Sequence, residues 1–249
     1  MKMRQQKPTT KPLFEWLFWL VVMGVFIHPT SAVANDVRVD LEVGTELPVA
    51  VGGKLIARWS KGLRLTTGVG YLPRAYVALI NEAVQQFPSS YDASTGDLIE
   101  ETLQNSVIWH THLGWQTKGG FYVDAGYRLA ALGGGTSTEA LLIATTDWEG
   151  GNGENASSNY AVSSTLHMAD LEVGWHTDID DKWSIRGGIG ITATLAASAT
   201  VDAENIPTGR TRQRFIREFE AFSERYLVDT YTEYVITPVV TLGIAYRLW

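Results

Sequence analysis

The sequence predicts an all-β chain folded as an eight-stranded antiparallel up-and-down barrel, and three observations carry that expectation. Segments alternating between apolar and polar residues recur from residue 37 onward, as strands with two unlike faces require. Pairs of them are joined by tight turns at Trp59-Ser60-Lys61-Gly62-Leu63, at Trp115 through Lys118-Gly119-Gly120 to Phe121, and at Trp175 through Asp178-Ile179-Asp180-Asp181-Lys182 to Trp183. Between these hairpins run connections of about 30 residues across 73–105, 133–162 and 199–230, so short turns gather at one end and long loops at the other.

The first element is a leader. Lys2, Arg4, Lys7 and Lys11 precede an apolar run from Leu17 to Ile27, and Ala32-Val33-Ala34 supplies a small-x-small cleavage site before Asn35. The run falls short of the ~20 residues a spanning helix needs, so residues 1–34 read as a secretory signal peptide and 35–249 as the barrel domain. An uncleaved anchor helix from Pro12 is the alternative, opposed by Glu15 and Pro29.

Parity then assigns the strands. The first sets Val37, Val39, Leu41, Val43 and Leu47 against Arg38, Asp40, Glu42 and Glu46. The second, over 49–59, sets Val49, Val51, Leu55, Ala57 and Trp59 against Lys54 and Arg58; the third sets Leu63, Leu65, Val69 and Tyr71 against Arg64 and Thr66. In the fourth Val107, Trp109, Leu113 and Trp115 oppose His110, His112 and Gln116, and in the fifth Phe121, Val123, Tyr127 and Leu129 oppose Asp124 and Arg128. The sixth opposes Leu171, Val173 and Trp175 to Asp170, Glu172 and His176. The seventh opposes Trp183, Ile185, Ile189, Ile191 and Leu195 to Ser184, Arg186, Thr192 and Thr194, and the eighth Val240, Leu242, Ile244, Tyr246 and Leu248 to Thr241 and Arg247. Strands of about 7 to 15 residues in an even number suit a small closed barrel.

Removing the leader takes four bases and one acid from totals of 20 and 27, leaving 16 against 26 and a charge of −10. Such a chain lacks the basic phosphate contacts that nucleic-acid binding requires. The absence of cysteine removes disulfides and thiol catalysis. A mean hydropathy of −0.03 without a second long apolar run excludes a helical multispan protein.

The polar faces carry acids and bases in near balance, and Gly68, Gly70, Gly114, Gly126, Gly174, Gly188, Gly190 and Gly243 share them, with Gly187 the main exception. The interior of an eight-stranded barrel is narrow, so small residues must make room for long ones. Charges confined there persist only when paired. An interior polar network that plugs the barrel is therefore expected around Arg58, Arg64, Asp124, Arg128, Asp170, Glu172, Arg186 and Arg247.

A soluble lipocalin-type barrel also alternates, with its apolar face inward. Against it, Trp59, Trp115, Phe121, Trp175 and Trp183 sit on the apolar parity at strand ends beside the short turns. That is where an aromatic girdle at a membrane boundary belongs. On the signal peptide, the strand count, the turn asymmetry and the segment Val239 to Trp249, residues 36–249 resemble the small outer-membrane barrels, the group of the OmpA transmembrane domain and OmpX. The resemblance implies a bacterial outer-membrane location with the long loops outside. It also implies outer-membrane lipid, lipopolysaccharide and the barrel assembly machinery as partners. In that group the last strand ends on an aromatic residue preceded by apolar residues at alternating positions. Here Leu242, Ile244, Tyr246 and Leu248 form the apolar set and Trp249 lies one residue out of register, so Leu248 and Trp249 both stand as the terminal anchor.

Two loop segments have helical spacing: 74–86, with Tyr76, Leu79, Ile80 and Ala83, and 210–227, where Phe215, Ile216, Phe219, Phe222 and Tyr226 form a stripe opposite Arg210, Arg212, Arg214, Arg217 and Glu218. The stripe predicts helices packed as a cap over the barrel mouth, and the arginines offer an alternative surface for lipopolysaccharide phosphates. Gly133-Gly134-Gly135 and residues 150–158 read as a flexible polar loop.

Lipid A-modifying enzymes of the outer membrane use small barrels with a His and a Ser near the outer leaflet. His167 beside Ser163, Ser164 and Thr165 is the one group of that kind, and no carboxylate is placed to orient it. His110 and His112 lack a third defined metal ligand. No catalytic residue, cofactor or metal site is expected. The expected function is a non-enzymatic outer-membrane barrel, structural or surface-interacting through its loops, with no named extracellular partner. A lipid A-modifying enzyme and a small pore are the alternatives.

Overall fold

Eight strands close into one barrel in chain order, each antiparallel to the next: β1 Val37–Leu47, β2 Ala50–Trp59, β3 Leu63–Tyr71, β4 Val107–Gln116, β5 Phe121–Ser137, β6 Asn159–Asp178, β7 Trp183–Ala203 and β8 Ile236–Arg247. This computed structural model describes residues 37–78, 106–137, 159–203 and 210–249. The leader at 1–34, Leu79, Ile80, Ala83 and residues 150–158 lie outside them. The chain divides into Met1–Val37 and Arg38–Trp249, and the barrel belongs to the second unit. Closure runs from Asp40 opposite Arg247 to Leu47 opposite Val240, which removes the sheet edges at this level.

The short turns are built by the residues the sequence supplies. Gly62 and Gly120 sit at φ 95° and 86°, in the left-handed region that favours glycine. A Cβ on Gly62 would also lie 2.7 Å from the Trp115 ring. In the β6–β7 turn, Asp180 accepts the backbone N–H groups of Lys182 and Trp183, each at 2.7 Å, an Asx-type turn.

Three strands exceed the expected length: β5 has 17 residues, β6 has 20 and β7 has 21. Gly133-Gly134-Gly135 belongs to β5 rather than to a loop. The connection expected over 199–230 is the end of β7 followed by a 25-residue helix, α1, Arg210–Tyr234. β4 and β8 pair with their neighbours only as far as Val107–Ala131 and Ala193–Ile236. Above that level β5, β6 and β7 continue as a three-stranded sheet.

The apolar face changes sides where the extension begins. Below it in β6, Leu171 and Trp175 are exposed while Asp170 and Glu172 are buried. Above it, Tyr160, Val162, Leu166 and Met168 are buried and Ala161 and Ser163 are exposed. β7 manages the change with a bulge: Met168 faces Thr194 and His167 faces Ala196, leaving Leu195 as the extra residue. Past the bulge the odd positions turn inward, Val201 among them, while Ala196, Ser198 and Thr200 face out.

Helix α1 covers this upper sheet. Ile216, Phe219, Ser223, Leu227 and Tyr231 are buried at i, i+3 and i+4 spacing, and Phe219 meets Tyr160 edge-on at 5.6 Å. The buried face is rotated from the expected stripe, since Phe222 is 48% exposed. The side chains of Arg210, Arg212 and Phe215 lie outside the described residues. Glu224 and Glu220 accept the N–H groups of Val201 and Ala203 at 3.1 and 3.0 Å, donors that β8 is too short to meet. Among the described residues the helix thus packs on the sheet rather than on a second helix. Residues 74–78 form a helical turn whose Val77 joins the same core.

Candidate functional site

Two surfaces make up the site: the outer wall and the filled interior. On the wall below the bulge every strand shows large apolar side chains, among them Val43, Val51, Val69, Leu113, Val123, Leu171, Ile189 and Leu242. Soluble monomers rarely expose a contiguous apolar patch beyond a few hundred Å², whereas this band encircles the barrel. At its short-turn end Trp115, Trp175 and Trp183 are exposed and Trp59 and Phe121 half-buried. Phe121 stacks edge-on against Trp175 at 5.2 Å and Trp183 against Tyr246 at 5.1 Å. At the other end stand Tyr71, Trp109, Tyr127 and His167, where Trp109 meets Tyr127 at 6.1 Å. Gly187 faces outward and leaves a notch in this wall beside Leu242 and Trp175. Leu248 and Trp249 are both exposed beside Val39, which bonds to both of them through the backbone.

The interior below the bulge is charged and tiered. Nearest the short turns, Arg58 reaches Asp40 at 2.7 Å, and Asp178 holds Arg58, Arg247 and Arg38 at 3.2, 2.9 and 3.4 Å. In the next tier Arg186 bonds Glu42 at 2.8 Å and Glu172 at 3.0 Å. Glu172 also accepts the Tyr122 hydroxyl and that of Thr241. Arg64 pairs with Asp124 at 3.2 Å, and its guanidinium carbon lies 4.1 Å from the centre of the Tyr122 ring, a cation–π contact. Above them Arg128 joins Glu46 at 2.7 Å to Asp170 at 2.9 Å, Lys54 bonds Glu46, and His112 bonds Asp170 at 2.8 Å. Glycines admit these chains: a Cβ on Gly114 would sit 1.8 Å from an Asp124 oxygen.

The eight residues expected in the interior network face inward and engage partners, Arg58 and Arg247 at its rim. Tyr122 was missed. Its position two residues before Asp124 on the same strand face was the available signal. The tier above the charges is apolar, with Ile108, Leu132, Leu166, Met168 and Val201 closed over by Phe219, Leu227 and Tyr231. The polar network thus occupies the lower interior, and apolar side chains fill the level above it.

Of the candidate catalytic group, Ser163, Thr165 and His167 share the outward face of the strand, while Ser164 points inward, where it is 5% exposed and bonds Tyr231. His167 Nδ1 is bonded to the Tyr127 hydroxyl. His110 stacks on His112 at 5.0 Å, and no cluster of three or more metal-ligating side chains occurs among the described residues.

On the helix, Arg214 is tied to Glu218 at 2.7 Å and Arg217 turns onto the Gln213 carbonyl at 3.3 Å.

No protein-family model matches the sequence, and no curated protein is similar to it in sequence. Among solved structures the chain is similar to a major outer membrane protein from Thermus thermophilus, at 16% identity over 86% of this chain and 98% of that one, with a TM-score of 0.41. It is similar also to CarO2 of Acinetobacter baumannii, at 16% identity over 86% and 97% with a TM-score of 0.38. CarO of the same organism aligns at 12% identity over 85% and 97%, with a TM-score of 0.37. These are distant likenesses.

Proposed function

We propose that the chain is a bacterial outer-membrane barrel that acts without catalysis. Its wall meets lipid between the short turns and the level of His167, its interior is plugged, and its extended loop end is the surface offered outside the cell. The carrying observation is the change of sides by the apolar face at the bulge. Below it the outside is apolar and the inside charged; above it the arrangement is that of a water-soluble sheet with a helix packed behind. The height fits. From Leu63 to Tyr71 a strand tilted by about 40° rises ~20 Å, close to the apolar band of ~25 Å that outer-membrane barrels carry.

The plug rests on paired charges and on the apolar tier above them. Catalysis is disfavoured because His167 Nδ1 is already bonded to the Tyr127 hydroxyl and a nucleophilic hydroxyl needs a base free to take its proton. Lipopolysaccharide remains the partner the outer boundary would meet, through Tyr127 and His167 more than through the helix arginines.

The decisive experiment is purification and reconstitution. The barrel is expected to resist carbonate extraction, to migrate faster unheated than heated in electrophoresis, and to show no stable channel in planar bilayers. Release into carbonate would defeat the membrane placement, a steady conductance would defeat the plug, and an altered lipid A acyl pattern on expression would revive the enzyme.

A further inference from the structure

The short-turn end is unevenly charged. The β2–β3 and β4–β5 turns are neighbours, because Leu63 of β3 lies opposite Trp115 of β4 and the Gln116 N–H donates to the Gly62 carbonyl at 2.7 Å. Each turn carries one exposed lysine, Lys61 and Lys118, and neither contains an acid. The carboxylates just inside are already engaged, Asp124 by Arg64 and Asp40 by Arg58. The β6–β7 turn is the opposite case. There Lys182 stands among Asp178, Asp180 and Asp181, and Asp178 alone binds three arginines.

Adjoining the two lysines on the wall is Trp115, 55% exposed and fixed against Gly62. Beyond it the apolar wall continues through Leu63, Leu65 and Leu113. Cations, an indole and hydrocarbon-facing leucines thus follow one another toward the middle of the barrel. A molecule matching that order carries negative charge, an interfacial region and an apolar tail in one body. An acidic protein would match the lysines and leave the leucines uncovered.

We infer that Lys61, Lys118 and Trp115 form a headgroup site for an anionic phospholipid of the inner leaflet. This rests on the membrane placement proposed above. Turns two strand spacings apart lie about 10 Å from each other, within the reach of two flexible lysine stems meeting at one phosphate. The indole takes the glycerol-ester level, where amphipathic rings settle, and the acyl chains lie along the leucines. Attraction between lysines and anionic lipid is screened by salt.

The test is electron spin resonance of the full mature barrel in phosphatidylcholine bilayers containing spin-labelled phosphatidylglycerol or spin-labelled phosphatidylcholine. The wild-type protein is expected to hold phosphatidylglycerol preferentially in its motionally restricted shell. K61Q/K118Q is expected to lower that preference by roughly fivefold or more, and K182Q to leave it unchanged. The site is overturned if the wild type shows no preference, or if K182Q lowers it as much as the double variant, which would mean unlocalised charge. It is equally overturned if inorganic phosphate, but not chloride at matched ionic strength, abolishes the preference, which would mean a site for free phosphate. Absence of a restricted shell for either lipid would instead defeat the membrane placement itself.

Discussion

Replacing Arg186 with methionine tests whether paired charge holds the barrel interior. Arg186 is 3% exposed. Its guanidinium donates to both oxygens of Glu42, at 2.8 to 3.2 Å, and to Glu172 at 3.0 Å. Methionine keeps most of the length and removes the charge. Among the described residues Glu42 would then retain as ion-pair partner only Lys54, at 3.8 Å and already committed to Glu46. Glu172 would keep the Tyr122 and Thr241 hydroxyls. Removing one partner of a buried ion pair costs about 3–5 kcal/mol. Most of it falls on Glu42, so R186M should lose about 4 kcal/mol of unfolding free energy. The double variant E42Q/R186M removes the stranded carboxylate and should regain about 2 kcal/mol of that loss, the coupling of residues in direct contact. Urea unfolding from lipid vesicles, followed by tryptophan fluorescence, measures all three proteins. A loss in R186M below ~1 kcal/mol, or a double variant no more stable than the single, would refute the reasoning.

Two further outcomes follow from the ends of the barrel. In E220A/E224A the amide protons of Val201 and Ala203 lose their acceptors and should exchange about tenfold faster, as the loss of one net hydrogen bond implies; unchanged exchange would mean that α1 does not cover the β7 edge. The Lys182 and Trp183 N–H groups hold the Asp180 carboxyl below its usual value of 3.8. A pKa depressed in the folded state gives stability that is present above the unfolded value and lost as pH falls through the folded one. The β6–β7 turn of wild type should therefore loosen in acid while D180N shows no such step, and an NMR titration midpoint for Asp180 at or above 3.8 would contradict this.

The sequence made the lower barrel legible because an apolar outside and a charged inside give the two strand faces maximal contrast. Leu171 and Val173 against Asp170 and Glu172 cannot be read in the wrong register. The upper sheet was illegible because that contrast fades. Its outward residues are Ala161, Ser163, Ala196 and Ser198, and its glycines at 133 to 135 suggest a loop when they are in fact strand. In β6 the apolar set passes from odd to even positions, which ends any pattern followed on one parity. In β7 the bulge conceals the exchange, since Leu195, Ala197, Ala199 and Val201 are all odd and only the extra residue turns the later ones inward. The helix was legible as a helix, but its buried face was not. An aromatic count favoured Phe222, whereas the sheet selects Phe219, Ser223 and Leu227.

The bulge also explains why the helix belongs to the barrel rather than decorating it. Once β4 and β8 stop, β7 continues with backbone donors that nothing in the sheet can meet. Helix α1 meets two of them with Glu220 and Glu224 and turns Phe219, Leu227 and Tyr231 onto the inward face of the extension. That apolar tier lies directly over Arg128, Glu46 and Asp170. Ion pairs strengthen as water is excluded from them, so the tier that shields these charges raises the strength of the pairs beneath. A charged plug open to water at its outer face would be weaker and would hydrate. The helix therefore sets the electrostatics of the interior without touching a charge in it.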